Sequence, residues 1–178
     1  MKPTCLVRPM HADDMPAVLR IQAACYTAIV PESRQSLEAK LRAAPDTCLV
    51  AAAPNDAIPD DIAGYLVAMP WRRGAPPELD APDCRLPQQP DCLYLHDLAV
   101  APAARGSGAA GALVAAFMQR LHAYGLAHAS LIAIQASQPF WQRHGFRIVA
   151  LDAARQAGLA AYGEDIAYME YAALPAVP

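Results

Sequence analysis

A glycine-rich turn at the end of an apolar strand is the segment of this sequence best suited to bind a ligand. Residues 98–111 read Leu-Ala-Val-Ala-Pro-Ala-Ala-Arg-Gly-Ser-Gly-Ala-Ala-Gly, and a helical pattern follows. Gly106 and Gly108 carry no side chains, so several backbone N–H groups can point at one anion. The positive end of the helix and the guanidinium of Arg105 add charge complementarity. The segment therefore predicts a site for a ligand that bears a pyrophosphate.

A nicotinamide or flavin dinucleotide is one ligand class to consider, because Gly106-x-Gly108-x-x-Gly111 matches the dinucleotide fingerprint. That fingerprint also needs a carboxylate roughly 20 residues further on, which binds the ribose hydroxyls. The sequence has no Asp or Glu from Gly111 to Leu151. Residues 101–105 also separate the strand from the first glycine, where the fingerprint expects the turn at once. Both observations disfavour a dinucleotide.

Two motifs resemble those of the Gcn5-related N-acetyltransferase (GNAT) superfamily. Arg105, Gly108 and Ala110 fill the acyl-CoA-binding pattern of that family, Arg/Gln-x-x-Gly-x-Gly/Ala. Residues 140–146, Phe-Trp-Gln-Arg-His-Gly-Phe, resemble its later motif, an aromatic pair followed by Gly-Phe. The opening residues 7–10 also resemble the family, so the resemblance covers nearly the whole chain. It implies a mixed, strongly twisted sheet flanked by helices.

The resemblance implies an enzyme that uses acetyl-CoA as acyl donor and transfers the acetyl group directly to a primary amine. In the family, the strand before the turn separates from its neighbour, so that its free N–H groups meet the ligand. Leu98 and Val100 take this backbone role by resemblance, and the N–H of Leu98 is the expected partner of the acyl carbonyl oxygen. The residues expected to bind the cofactor are Leu98, Ala99, Val100, Arg105, Gly106, Ser107, Gly108, Ala109, Ala110, Phe140 and Trp141.

His96 and Asp97 are the candidate catalytic residues, with His96 as the general base. An imidazole titrates near neutrality and can accept a proton directly or through water. His96 also matches a position where some family members carry a Glu assigned as the base. Strand alternation predicts His96 on the face of Leu98 and Val100 and Asp97 on the other face, unless a bulge intervenes. A purely structural role is the alternative for both residues.

Trp141 departs from the family's pattern. The second aromatic of the later motif is usually a Tyr whose hydroxyl protonates the departing thiolate, and an indole N–H is not a practical acid. A thiol with a pKa of about 8.5 can leave unaided. Tyr124, Tyr162 and Tyr168 are candidate substitutes, with ordinary packing as their alternative. The departure leaves open a second function, a non-catalytic acyl-CoA-binding sensor module.

Covalent and metal chemistry find little support in the sequence. None of Cys25, Cys84 and Cys92 lies in a recognisable activating setting, which disfavours a cysteine nucleophile. Cys92 and His96 lie four residues apart on one strand, roughly 13 Å, which is too far for both to bind one ion. We therefore predict no metal.

The acceptor side is the least defined part of the predicted site. By resemblance it is lined by the first two helices, their connection and the loops opposite the cofactor, which points to Tyr26, Glu32 and Trp71 as substrate-binding residues. An aromatic wall and an anion suit an ammonium group. A surface Glu and a half-buried Tyr are the alternative. The acceptor, a small-molecule or peptide amine, stays open.

Composition predicts one globular domain over residues 1–178, since the chain has 55% hydrophobic and 17% charged residues. A net charge of −3 without a basic run gives no indication of a nucleic-acid partner. No apolar run approaches the roughly 18 residues of a membrane span, and the N-terminus lacks a secretory signal. We expect a cytoplasmic protein that does not bind membranes. Members of the family that it resembles often form homodimers.

Alternating strand and helix patterns predict a layered α/β (α+β) fold with six to seven strands and about four helices. Residues 47–53 and 62–69 are expected to pair as a hairpin around the turn signal at 54–56. The segment 70–90 contains six prolines and is predicted to be a surface loop, either a lid or a tolerated insertion. Residues 106–124 are predicted to form the helix that follows the glycine-rich turn.

Overall fold

The computed structural model describes residues 5–52 and 62–173 of the chain. Seven strands form one sheet in the order β1-β2-β3-β4-β5-β7-β6. All neighbours are antiparallel except the parallel pair β4–β5. The strands are β1 Val7–Pro9, β2 Leu49–Ala52, β3 Ile62–Trp71, β4 Cys92–Val100, β5 His128–Ala133, β6 Arg147–Ile148 and β7 Ala167–Ala172. The predicted mixed α/β sheet is confirmed.

Five α-helices accompany the sheet within residues 5–52 and 62–173, where the sequence predicted about four. They are α1 Met15–Cys25, α2 Arg34–Ala43, α3 Ala109–Ala123, α4 Gln138–Arg143 and α5 Ala153–Gly158. Ser33 caps α2, because its hydroxyl accepts a hydrogen bond from the N–H of Ser36 at 3.3 Å. No helix within residues 5–52 and 62–173 is long and apolar enough to span a membrane.

Alternation along the central strands builds two apolar layers, one on each face of the sheet. In β3, Leu66 and Ala68 pack with α3 and α4, while Tyr65 and Val67 pack with α1 and α2. Phe117 of α3 is fully buried in the first layer. This arrangement leaves the central strands covered on both faces and fixes the position of β4, on which the predicted site residues lie.

The predicted hairpin is confirmed as the antiparallel pair β2–β3, and its turn at 54–56 lies outside the described residues. The proline-rich segment contains no helix or strand from residue 72 to 91. Asp80 fastens this loop to the start of α2, since its carboxylate accepts a hydrogen bond from the N–H of Ser33 at 2.7 Å. Gly74 donates its N–H to the hydroxyl of Tyr168 at 2.7 Å. These hydrogen bonds tie the loop to the body of the fold.

Candidate active site

A cleft of about 310 Å³ opens where β4 and β5 separate. The parallel ladder pairs residues 93–95 of β4 with residues 129–131 of β5, while β4 continues to Val100 and β5 to Ala133. The cleft is lined by these two diverging strands, by the end of α1, by the start of α3 and by α4. The strand that separates from its neighbour is the one for which the family resemblance implies it.

Backbone N–H groups of β4 point into this cleft. The N–H of Ala101 donates to the carbonyl of Ala63 in β3 at 2.8 Å. Because consecutive residues of a strand direct their N–H groups to opposite sides, those of Leu98 and Val100 point away from β3. The carbonyls of Leu98 and Val100 also point away from β3, and the hydroxyl of Tyr26 donates to the carbonyl of Leu98 at 3.3 Å. Ala99 contributes to the lining while its own polar groups face β3.

The glycine-rich turn leads from β4 to the first turn of α3. Gly106 and Gly108 have φ values of +81° and +92°, a left-handed conformation that side-chain-bearing residues rarely adopt. Ser107 accepts a hydrogen bond from the N–H of Ala109 at 3.3 Å. Arg105 lines the cleft and is exposed, and its guanidinium forms no hydrogen bond or ion pair with another described residue. Its guanidinium is therefore available to an anion.

Phe140 and Trp141 of α4 line the cleft on the far side. Trp141 is buried and lies edge-on to Phe140 and to Phe146, with ring centroids 4.9 and 5.6 Å apart. Ala110, at the start of α3, also lines this part of the cleft. The indole thus belongs both to the core and to the wall of the cleft.

A β-bulge in β4 changes the side of the sheet on which the side chain of His96 lies. Val67 pairs with Asp97 and the next residue, Ala68, pairs with Leu95, so His96 is the extra residue in β4. Leu98 packs with the α3 layer, whereas His96 contacts Glu32 in the loop before α2. The bulge is the exception that the predicted alternation allowed: it places His96 on the same side as Asp97, so His96 does not share a face with Leu98 and Val100.

Asp97 is held by two tyrosines. Its carboxylate accepts a hydrogen bond from the hydroxyl of Tyr65 at 2.6 Å and another from the hydroxyl of Tyr26. Burial raises the pKa of Asp97, and the two tyrosine hydrogen bonds oppose that rise. With both oxygens engaged, Asp97 anchors the end of α1 to β3 and β4.

His96 belongs to a buried cluster of charged groups. Its Nε2 lies 2.6 Å from Oε2 of Glu32, and the two side chains are 2% and 6% exposed. The other carboxylate oxygen accepts hydrogen bonds from Lys40 at 3.0 Å, Ser36 at 3.2 Å and the N–H of Asp80 at 2.8 Å. Burial alone would raise the pKa of Glu32, but the hydrogen bond and charge of His96, and the charge of Lys40, lower it to about 2.

The three predicted acceptor residues have different surroundings. Tyr26 lines the cleft and also an adjoining cavity of about 50 Å³. Glu32 lines the small cavity too, but its carboxylate is already bound by Lys40 and His96 and so is not a free anion for an ammonium group. Trp71 lies elsewhere: it lines a separate pocket with Lys40, and its indole donates to the carbonyl of Ala75 at 2.7 Å.

Lys40 is not among the predicted site residues, although the sequence contains one signal for it. Ser36 and Lys40 lie four residues apart on α2, which places them on one face of the helix beside the buried Leu37 and Leu41. A lysine on a buried face needs an anionic partner, because an unpaired buried charge is strongly unfavourable. That requirement points to a buried carboxylate near α2.

None of the three alternative tyrosines lines the cleft. Tyr124 is 42% exposed at the end of α3. The hydroxyl of Tyr168 donates to Glu170 at 2.9 Å, and that of Tyr162 donates to the carbonyl of Pro77 at 3.1 Å. Among the described residues, no group of three or more His, Cys, Asp or Glu side chains is arranged to hold a metal ion.

Comparisons with known proteins concern the family and the fold of this chain. A family model described as the acetyltransferase (GNAT) family matches residues 15–146. Ard1 from Thermoplasma volcanium superposes with a TM-score of 0.69 at 15% identity, covering 96% of this chain and 98% of that one. No curated protein matches the chain by sequence.

Two further solved structures have the same fold and contain ligands. N-acetylglutamate synthase from Neisseria gonorrhoeae, complexed with coenzyme A and N-acetyl-glutamate, gives a TM-score of 0.69 at 14% identity over 98% of this chain and 36% of that one. Naa50 from Arabidopsis thaliana, in complex with the bisubstrate analogue CoA-Ac-MVNAL, gives 0.65 at 11% identity over 94% and 97%. At these identities the likeness concerns the fold.

Proposed function

Because the chain belongs to the acetyltransferase (GNAT) family, we propose that it is an N-acyltransferase that moves an acetyl group from acetyl-CoA directly to a primary amine. The observation that carries the proposal is the separation of β4 from β5, which turns the N–H groups of Leu98 and Val100 into a cleft that ends at the glycine-rich turn. This is a site for a long ligand with an anionic end and a carbonyl end.

Each end of the cleft suits a different part of acetyl-CoA. The N–H groups of residues 106–110 and the guanidinium of Arg105 would bind the pyrophosphate, because a helix N-terminus and an arginine both favour phosphate oxygens. The N–H of Leu98 would donate to the thioester carbonyl and stabilise the negative charge that develops on its oxygen. Phe140 and Trp141 would pack along the pantetheine arm.

The reaction needs a proton acceptor and a leaving group. The amine nitrogen attacks the carbonyl carbon, the C–S bond breaks, and the amine proton passes to His96 directly or through one water. The thiolate of coenzyme A leaves as such and takes a proton from solvent, because Trp141 stands where a tyrosine hydroxyl would otherwise supply it. The acceptor is a small-molecule or peptide amine, and a homodimer in the cytoplasm stays the expected state of the protein.

Calorimetric titration of acetyl-CoA into wild type and Arg105→Ala tests the cofactor site. A lost charge-assisted hydrogen bond is worth about 1.5–3 kcal/mol, so we expect binding that is roughly 10–100-fold weaker in the variant. Arg42→Ala is the matched control, because Arg42 is an exposed arginine on α2 outside the cleft. Absence of wild-type binding would overturn the proposal.

Turnover is then measured as release of free coenzyme A thiol in the presence of a panel of amines. We expect release that depends on both the amine and His96, with His96→Ala slower at every pH. Tight binding without turnover on any amine would instead favour a non-catalytic sensor module. That function is the second candidate, because Trp141 replaces the tyrosine that usually supplies the proton.

A further inference from the structure

We propose that Glu32 is a positioning residue that fixes the imidazole of His96 with its N–H at Nε2 and leaves Nδ1 as the proton acceptor. The proposal rests on the function proposed above, since it concerns how the base of that reaction is prepared. It also gives Glu32 a different role from the substrate-binding role that its sequence position suggested.

The two oxygens of Glu32 have separate partners. Oε1 is held by the ammonium of Lys40, the hydroxyl of Ser36 and the N–H of Asp80, at 2.8–3.2 Å. Oε2 lies 2.6 Å from Nε2 of His96. Groups of α2 and of the proline-rich loop therefore fix the carboxylate independently of its contact with the imidazole. Its orientation does not depend on a ligand.

This arrangement determines which ring nitrogen carries the proton. An ionised carboxylate accepts hydrogen bonds and cannot donate one. The ammonium of Lys40 at 3.0 Å favours the ionised form of Glu32. Nε2 must then be the donor in the pair, and in the neutral ring the lone pair belongs to Nδ1.

Nδ1 of His96 is buried and has no hydrogen-bond partner among the described residues. A buried polar atom without a partner is unfavourable, which suggests that another group completes it. His96 lines both the acyl-CoA cleft and the adjoining 50 Å³ cavity, whose walls include Ile29, Leu79 and Ile132. The acceptor amine, or one water that bridges to it, would occupy that cavity and give its proton to Nδ1.

The charge of the cluster suits this transfer. Glu32 and Lys40 compensate each other while the ring is neutral, and Glu32 faces the positive charge that the ring gains with the proton. Electrostatic stabilisation that is already oriented lowers the barrier without reorganisation. Glu32 acts through His96, because protein groups already engage both of its carboxylate oxygens.

The first test is an NMR measurement of the tautomer in protein labelled with ¹⁵N-histidine, near pH 8. His96→Asn identifies the His96 signals among those of the five histidines. We expect wild type to show a protonated Nε2 and a bare Nδ1, and Glu32→Gln to lose this fixed state. Glu38→Gln should leave the signals unchanged, because Glu38 pairs with Arg34 and Arg42 on the surface of α2. A wild-type ring protonated at Nδ1 would overturn the proposal.

The second test is kinetic and separates this inference from the proposed function. With an accepted amine, Glu32→Gln should lower kcat by roughly 10–100-fold and leave KM for acetyl-CoA unchanged, whereas a general loss of structure would change both. Wild-type kcat in Glu32→Gln would overturn the positioning role alone. Absence of transfer by wild type with any amine would overturn the proposed function, while the tautomer is still measured independently.

A second variant covers the case in which Glu32→Gln folds poorly. Glu32→Gln combined with Lys40→Met removes both buried charges together, so neither is left without its partner. We expect this double variant to melt cooperatively and to show the same loss of kcat and of the fixed tautomer. A double variant with wild-type kcat would contradict the proposal.

Discussion

Gly64 of β3 pairs with Val100 of β4, and the space beside it is too small for a side chain. A Cβ built there would lie 2.7 Å from the carbonyl oxygen of Ala99 and 3.1 Å from Cγ2 of Val100. Contacts that short are not tolerated, so Gly64→Ala must displace β4 just where it carries the backbone donors of the cleft. Overpacking of this kind lowers the free energy of unfolding by about 1–3 kcal/mol. Alanine offsets somewhat less than about 1 kcal/mol of this loss, because it reduces the conformational entropy of the unfolded chain.

We therefore expect Gly64→Ala to lower the free energy of unfolding by about 1–2 kcal/mol, which corresponds to roughly 2–8 °C in Tm for a chain of this size. The assay is thermal and urea unfolding monitored by circular dichroism, followed by titration with acetyl-CoA, whose affinity should also fall. Gly158→Ala is the control, because its added Cβ would meet nothing within 4 Å and its backbone is right-handed helical. If both variants match wild type in stability and binding, the close approach of the two strands has been misjudged.

Two further predictions concern the buried carboxylates. The pKa of Glu32 in the fold is about 2 against an ordinary value of 4.5, so its contribution to stability is fully present above about pH 4.5 and is lost as the pH falls towards 2. From these values, protonation of Glu32 should lower the free energy of unfolding by about 2 kcal/mol between about pH 6 and pH 3. Urea unfolding across that pH range would measure the change. A free energy of unfolding that does not change over the range would contradict the pairing of Glu32 with Lys40 and His96. Tyr65→Phe should destabilise the fold by about 1–3 kcal/mol because it leaves one oxygen of Asp97 without its donor, whereas Tyr124→Phe, at an exposed position, should melt like wild type.

Local sequence patterns were sufficient for most of the fold. The β2–β3 pair has its turn signal between two β-rich runs, and α2 has a serine at its N-cap, so neighbouring residues alone indicate them. Helix α5 has a capping residue as well, because Asp152 accepts a hydrogen bond from the N–H of Arg155 at 2.9 Å. Its residues are all exposed, however, and give no apolar periodicity that would predict a helix.

The candidate site was only partly predictable, since its decisive features are not local. The bulge at His96 is a property of how β4 pairs with β3, and alternation along β4 cannot reveal an extra residue. Glu32, Lys40 and His96 come together from the loop before α2, from α2 itself and from β4. Each residue has an ordinary explanation when it is considered alone, and the fold supplies their combination.

The separation of β4 from β5 also has a consequence for the cohesion of the whole molecule. Strands β1–β4 and β5–β7 form two half-sheets, and residues 93–95 pair with residues 129–131 along their shared seam. A molecule bound in the cleft contacts both half-sheets at once, so it extends the contact between them beyond the paired residues. By mass action, a ligand that binds the folded chain also stabilises it. The fraction of this protein that is folded, and thus its lifetime in a cell, is therefore expected to follow the supply of the molecule that occupies the cleft.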